Sequence, residues 1–250
     1  MTLPAAFFTR PIAHRALHDV TAGRAENSLK AIKAAIDAGY GIEVDVQISA
    51  DGVPMVFHDY DLGRLTGATG PVAQRTAQAL GAIPLLHDGD GIPTLAQVLA
   101  LMAGRVPLLI ELKDQDGQLG PDIGLLGGAV AAILQNYTGL VAVMSFNPHA
   151  VAEMQTLLPE VPRGITTGAY RPENWPTIPA QVLDHLRAIP DYDHVGACFI
   201  SHRDTDLTSP RVAALKAQGA HIFCWTVTSP QAEAAARKIA DNITFEGYLA

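Results

Sequence analysis

The chain has 250 residues, of which 48% are hydrophobic, and its formal net charge is −8 at pH 7. A chain of this length can form one large domain, and it carries enough apolar residues to bury a core. An acidic chain without a basic run is a poor candidate for wrapping nucleic acid, although a local cationic pocket for one small phosphate is compatible with this charge.

The sequence offers no clear signal for secretion or for insertion into a membrane. The first 15 residues lack a charged segment followed by a long apolar run, and no apolar run approaches the ~20 residues that span a bilayer. Cys198 and Cys224 lie in apolar runs without a CxxC motif, which predicts buried, reduced thiols. We therefore expect a soluble cytoplasmic protein, whose oligomeric state the sequence does not fix.

The first third of the chain alternates between strand-like and helix-like segments. The run PIAHR precedes a helix-like segment in which apolar residues fall at helical spacing up to Gly39. Two strand candidates, residues 41–49 (GIEVDVQIS) and 53–59 (VPMVFHD), follow and are joined by an Asp51-Gly52 turn signal. Residues 60–92 are polar and rich in glycine, which predicts an irregular insertion above the rest of the fold.

The same alternation continues to the end of the chain. Helices are predicted to begin after Thr94, Asn147, Ser209 and Ser229, the last three of which are each followed by proline. Six further strand candidates are residues 106–113, 140–146, 161–167, 195–201, 221–227 and 242–247. About eight β/α steps without a linker predict a single α/β domain over residues 1–250, a (β/α)8 TIM barrel with a small insertion after the second strand. A doubly wound open sheet is the alternative, but the glycine fingerprint after its first strand is missing.

Polar residues recur where these strands end, which is the end that carries chemistry in α/β barrels. Side chains alternate along a strand, so Glu43 and Asp45 share one face, as do Glu111 and Lys113. The remaining members of this set are two dipeptides at strand ends, His14-Arg15 and His58-Asp59.

Three of these residues are carboxylates that would repel each other at one barrel mouth. Glu43, Asp45 and Glu111 offer oxygen ligands, which suit one divalent cation, Mg²⁺ or Ca²⁺, and the chain lacks the cysteine or clustered histidine ligands of a structural zinc site. A buried ion-pair network with Arg15 and Lys113, without a catalytic role, is the alternative interpretation.

Several motifs occur in a fixed order along most of the chain: AHR, ENS, EVDVQISADGVPMVFHD, IELK and FCWTV. In this order they resemble the glycerophosphodiester phosphodiesterase family. The chain departs from the family pattern at Ala16 and Ala25, in a longer loop over residues 16–25, at Thr228, and at Glu246, where the family often has aspartate. These departures concern loop shape and substrate contacts more than reaction class.

The resemblance implies a barrel with an insertion after the second strand. It also implies a metal-dependent hydrolase that acts on a small-molecule phosphodiester and releases glycerol 3-phosphate and an alcohol. Carried over by position, Glu43, Asp45 and Glu111 resemble the metal ligands, His14 and His58 the general acid/base pair, and Arg15 and Lys113 the phosphate contacts. Trp225 either forms a wall for the glycerol carbons or packs in the core.

Weaker candidates lie beside this set. Residues 145–147 follow the fourth strand of the predicted barrel and are expected near the site. Glu26 and Asn27 either orient His14 or Arg15 or contact substrate, and helix capping by Asn27 or Ser28 is the alternative.

Three other functions are compatible with parts of the pattern. Lysophospholipase D-type cleavage would need an apolar groove near the mouth, to which residues 4–8 (PAAFF) and 60–92 could contribute. An enolising or aldol-type barrel enzyme would use a metal and Lys113 as a base or Schiff-base former. A non-catalytic binding barrel would leave the converging polar residues without a purpose.

Overall fold

Nine strands form one sheet in the computed structural model, which describes residues 2–250. In chain order they are β1 (Ile12–Ala13), β2 (Gly41–Ile48), β3 (Pro54–Val56), β4 (Leu108–Leu112), β5 (Val141–Ser145), β6 (Arg163–Thr167), β7 (Phe199–Arg203), β8 (His221–Val227) and β9 (Asn242–Phe245). All except β3 run parallel, and β1 pairs with both β2 and β9, so eight strands close into a barrel. The predicted (β/α)8 fold is confirmed, and the open sheet is wrong.

Most helices lie between barrel strands and cover the outside of the barrel; the exceptions are Ala6–Thr9, which precedes β1, and Ala77–Gly81, which lies in the insertion. They are α1 (Ala6–Thr9), α2 (Leu29–Ala38), α3 (Ala77–Gly81), α4 (Leu95–Met102), α5 (Leu126–Leu134), α6 (Pro148–Leu157), α7 (Ala180–Ala188), α8 (Pro210–Ala217) and α9 (Pro230–Ala236). No helix among residues 2–250 combines the length and the apolar character that crossing a bilayer requires.

Side-chain caps start the helices where the sequence predicted them. Thr94 and Gln97 form a reciprocal capping box at α4, and Asn147, Ser209 and Ser229 each accept a backbone NH ahead of a proline. At α2 the cap is Ser28 rather than its neighbour, because the Ser28 hydroxyl accepts the NH of Ala31.

One predicted strand lies further along the chain than the apolar run suggested. The run over residues 195–201 predicted a strand there, but β7 begins at Phe199 and continues through Arg203. Gly196 has φ +60°, a left-handed conformation that belongs to a turn, so the chain enters the sheet after it. His202 and Arg203 extend the ladder because they pair with Cys224 and Trp225 of β8.

The N-terminal segment closes the end of the barrel where the strands begin. Phe7 is buried among Phe199, Phe223 and other residues near the starts of strands, and its carbonyl accepts a hydrogen bond from Asn242 Nδ2 at 2.7 Å. Residues 4–8 therefore lie at the opposite end from the polar strand termini. The expectation that they contribute an apolar groove at the mouth is wrong.

The insertion after β3 has its own small core. Buried side chains of the insertion, among them Leu62, Leu80 and Ile92, pack against Met55 and Phe57 at the end of the β2–β3 hairpin. Because this cluster is continuous with the hairpin, the insertion lies fixed beside the rim of the barrel. The predicted small insertion is confirmed, and Cys198 and Cys224 are buried and unbonded, as expected.

Candidate active site

The eight predicted site residues line one cleft at the carboxyl ends of the barrel strands. They are His14, Arg15, Glu43, Asp45, His58, Glu111, Lys113 and Trp225. Met144, Phe146 and Thr244 also line this cleft. Strands β1, β2, β4 and β8 thus bring together residues that are far apart in sequence. Their chemical roles stay predictions.

The three carboxylates converge as the strand periodicity requires. Asp45 of β2 is paired in register with Glu111 of β4, and Glu43 lies two residues earlier on the same face. One carboxylate oxygen from each residue lies within 4.8 Å of the others, and all three residues are buried. This spacing allows the three oxygens to share one cation.

Burial and mutual repulsion affect these carboxylates unequally. Burial, with the charges of Asp45 and Glu111, raises the pKa of Glu43 well above its usual range. Burial also acts to raise the pKa of Asp45, but the nearby charges of Lys113 and Arg15 contribute to holding it well below its usual range. Without a further positive charge, Glu43 is the member that takes up a proton.

Two cations contact the carboxylates but do not neutralise all three. Lys113 Nζ lies 2.8 Å from Glu111 Oε1 and 3.4 Å from Asp45 Oδ1, whereas Arg15 Nε lies 3.5 Å from Asp45 Oδ2. The side chain of Glu43 accepts a hydrogen bond from the backbone NH of Arg15 at 2.9 Å. The alternative of an ion-pair network therefore describes part of the site and leaves Glu43 without a cation in contact.

Residues of the motif ENS support two members of the site. Glu26 Oε1 accepts a hydrogen bond from Arg15 Nη1 at 2.7 Å, so it orients Arg15 rather than His14. The Asn27 amide binds Asp45 twice, donating from Nδ2 to Oδ2 (3.0 Å) and accepting the backbone NH at Oδ1 (3.3 Å).

Each histidine of the cleft has a carboxylate partner. His14 Nδ1 lies 2.6 Å from Glu246 Oε2, and His58 Nδ1 lies 2.6 Å from Asp59 Oδ1. Hydrogen bonds from His14 and from His18, which lies 3.3 Å away, hold the pKa of Glu246 well below its usual range. Sequence reasoning noted Glu246 only as a departure from the family pattern, and Asp59 only as part of a dipeptide.

An aromatic wall borders the cleft on the side of β5 and β8. The ring of Trp225 packs edge-on against Phe146 at 5.4 Å, and Trp175 packs against Phe146 at 5.3 Å. These rings line a cavity of about 620 Å³ that also contains His58 and Lys113 and opens beside the insertion. Trp225 therefore faces the cleft, and Trp175, in the loop before α7, carried no sequence signal.

Two of the weaker candidates belong to the scaffold instead. The Ser145 hydroxyl donates to the Leu112 carbonyl at 2.7 Å, and Asn147 caps α6 and donates to Asp114 at 2.7 Å. Their hydrogen bonds are satisfied away from the cleft, so the expectation that they line it is wrong, whereas Phe146 between them does line it.

Comparisons with known proteins identify the family of the chain. The sequence model of the glycerophosphoryl diester phosphodiesterase family matches residues 14–243. YhdW of Bacillus subtilis (strain 168), which is named as a glycerophosphodiester phosphodiesterase, is 28% identical over 218 residues, 84% of this chain and 83% of YhdW.

Solved structures with the same fold cover nearly the whole chain. An Oleispira antarctica phosphodiesterase in complex with the product sn-glycerol-3-phosphate has a TM-score of 0.75 at 23% identity, over 96% of this chain and 94% of its own. A glycerophosphodiester phosphodiesterase from Parabacteroides distasonis ATCC 8503 has a TM-score of 0.75 at 25% identity, over 94% and 91%. The chain is therefore a phosphoric diester hydrolase and belongs to the glycerophosphoryl diester phosphodiesterase family.

Proposed function

We propose that this cleft hydrolyses glycerophosphodiesters to glycerol 3-phosphate and an alcohol, with a divalent cation and with His14 and His58 as the acid/base pair. The main support for this proposal is the convergence of three carboxylates and two carboxylate-bound histidines in one cleft of a fold shared with the family. The product bound to the Oleispira antarctica phosphodiesterase supports the choice of substrate class.

Glu43, Asp45 and Glu111 fit a hard dication such as Mg²⁺ or Ca²⁺. They supply only oxygen ligands, and burial, with the charges of Asp45 and Glu111, raises the pKa of Glu43, which a bound cation would counteract. When bound, the cation acts as a Lewis acid that withdraws negative charge from a phosphate oxygen.

Arg15 and Lys113 are placed to bind the phosphate. Arg15 Nε is buried and makes no hydrogen bond, although it lies 3.5 Å from Asp45 Oδ2, so we expect this donor to be available to a substrate oxygen. Lys113 keeps its proton because the charges of Glu111 and Asp45 raise its pKa against the opposing effect of burial. A permanently protonated lysine is a poor base or Schiff-base former, which argues against the aldol-type alternative.

The histidines are held ready for proton transfer. Glu246 and Asp59 each bind the Nδ1 atom of their histidine, which fixes the ring and leaves Nε2 to exchange a proton with the reacting groups. One histidine takes the proton from the attacking water or glycerol hydroxyl, and the other donates a proton to the departing alkoxide.

A panel of glycerophosphodiesters tests the proposal. We expect release of glycerol 3-phosphate that stops in EDTA and returns with Mg²⁺, Ca²⁺ or Mn²⁺. Choline release from lysophosphatidylcholine, compared with that from glycerophosphocholine, measures the lysophospholipase D-type alternative. Full hydrolysis in the chelator would contradict the metal site.

The substitution Glu43→Gln gives a second readout of the metal site. A raised carboxyl pKa means that ionising Glu43 destabilises the metal-free fold as pH rises above about 4.3. Glu43→Gln should therefore unfold at the same or a higher temperature than the native chain in EDTA at pH 8. The native chain should gain stability with added cation, by about 2.7 kcal/mol at 100 times Kd, and the variant should not.

A further inference from the structure

Arg64 belongs to the insertion and contacts carboxylates of the cleft, although no motif pointed to it. About half of its side chain is exposed, yet its guanidinium lies between Glu26 and Asp59, whose side chains are 12% and 22% exposed. Nε and Nη2 donate to the two oxygens of Asp59 at 2.7 and 2.9 Å, and Nη1 and Nη2 donate to the two oxygens of Glu26, both at 2.8 Å.

These four hydrogen bonds use four of the five N–H donors of the guanidinium. Paired hydrogen bonds from one guanidinium to both oxygens of a carboxylate fix the relative orientation of the two groups. One donor of Nη1 is left, so Arg64 cannot also bind a phosphate through two parallel hydrogen bonds. Its contacts therefore point to support of the cleft rather than to substrate binding.

Both carboxylates are shared with proposed catalytic groups. Asp59 Oδ1 contacts His58 Nδ1 as well as Arg64 Nη2, and Glu26 Oε1 accepts from Arg15 Nη1 as well as from Arg64 Nη2. The single nitrogen Nη2 thus touches the oxygen that binds the histidine and the oxygen that binds the other arginine. A movement of Arg64 displaces both side chains together.

We propose that Arg64 is a positioning residue that sets His58 through Asp59 and Arg15 through Glu26, so that the insertion fixes part of the cleft. This inference rests on the proposed function, because Arg64 can affect turnover in this way only if His58 and Arg15 act on the phosphodiester. The insertion has a separate hydrophobic core around Leu62, so replacing Arg64 leaves the packing of the insertion in place.

The test compares Arg64→Gln and Arg64→Lys with Arg75→Gln on glycerophosphodiesters. Arg75 belongs to the same insertion but donates from Nη2 to a backbone carbonyl, that of Thr69, at 3.0 Å. We expect Arg64→Gln to lower kcat by about 10- to 100-fold because His58 is displaced, with a smaller rise in KM because Arg15 also loses its support. Arg64→Lys should recover part of the loss, and Arg75→Gln should lose none.

A second measurement asks whether Arg64 acts through the histidine. In a His58→Ala background, Arg64→Gln should cost less than in the native chain, because an absent ring cannot be misplaced. The ¹⁵N signals of the His58 ring should move in Arg64→Gln and stay in Arg75→Gln, and this readout does not depend on turnover.

Several outcomes would overturn the inference. They are unchanged kcat in Arg64→Gln, a rise in KM alone, which indicates substrate contact, an equal cost in both backgrounds, and unmoved His58 signals. Failure of the proposed function looks different: the native chain would hydrolyse no glycerophosphodiester, or His58→Ala would keep full turnover.

Discussion

The two histidines of the cleft are each bound by a carboxylate at 2.6 Å, but different structures bring the partners together. His14 follows β1 and Glu246 follows β9, so adjacent barrel strands place residues that are 232 positions apart. His58 and Asp59 are neighbours in sequence, and Arg64 of the insertion binds the aspartate. We call the first pair the strand half of the cleft and the second, with Arg64, the insertion half.

The two halves show two ways of bringing a histidine and a carboxylate into contact. In the strand half, the hydrogen-bonded ladder fixes the distance between backbones, and the partners need no further support from outside the barrel. In the insertion half, His58 and Asp59 are in contact because they are neighbours in sequence, but this does not fix the orientation of the carboxylate. The guanidinium of Arg64 orients it. The strand half should therefore tolerate changes in the insertion, whereas the insertion half should not.

Removing either histidine tests whether the two halves contribute equally to catalysis. His14→Ala and His58→Ala should each lower turnover by about 10²- to 10⁴-fold, the usual contribution of a general acid or base. His149→Ala, at an exposed position on α6, is the control and should keep native turnover. Near-normal turnover in both site variants, with the fold confirmed by circular dichroism, would rule out the assignment.

Removing the charge of each carboxylate should have a smaller effect and should separate the halves. Glu246→Gln and Asp59→Asn should each lower kcat by about 10- to 100-fold, because each histidine loses the partner that fixes its ring. Adding Arg64→Gln to Asp59→Asn should cost only the part that acts through Glu26, whereas adding it to Glu246→Gln should cost the full amount. Full additivity with Asp59→Asn would show that Arg64 does not act through Asp59, and a non-additive cost with Glu246→Gln would show that the halves are not independent.

Acid unfolding offers a separate check on the strand half. The pKa of Glu246 is lowered by its hydrogen bonds to His14 and His18, so its contribution to stability is present above about pH 4.3 and is lost as pH falls through the lower folded value. The free energy of unfolding, measured in urea, should therefore fall more steeply below about pH 5 for the native chain than for Glu246→Gln. Parallel curves would contradict the role of Glu246 in stability.

Sequence reasoning identified the residues whose placement depends on local geometry. Glu43 and Asp45 share a face because side chains alternate along a strand. His58 lies at the end of a hairpin that the Asp51-Gly52 turn signal predicts. The helix caps at Thr94 and Ser229 followed from the same local chemistry. These features need no knowledge of which segments meet in space.

The partners that sequence reasoning missed depend on closure of the barrel and on the insertion. Glu246 meets His14 only because β9 pairs with β1, and the spacing along the chain gives no sign of this contact. Arg64 and Trp175 lie in irregular segments, where no periodicity predicts the direction of a side chain. For the same reason the apolar segment over residues 4–8 was expected at the mouth, although it closes the other end.

The smallest expected effect concerns the backbone at Ala16, which directly follows His14 and Arg15. Ala16 is buried and has φ +64°, and its NH donates to the Glu43 carbonyl at 3.0 Å. A left-handed conformation costs a residue with a Cβ atom about 1–2 kcal/mol. Ala16→Gly relieves this cost but loses about 0.8 kcal/mol of methyl burial and about 0.5–1 kcal/mol through glycine's greater freedom in the unfolded chain.

These contributions nearly cancel, so Ala16→Gly should change the free energy of unfolding by less than about 1 kcal/mol. Ala13→Gly is the matched control, because Ala13 is equally buried but lies in β1, where no left-handed strain is relieved. The control should therefore be the less stable of the two by about 1–2 kcal/mol in urea unfolding. Equal losses would mean that Ala16 carries no strain and that the strand half is built without a local cost.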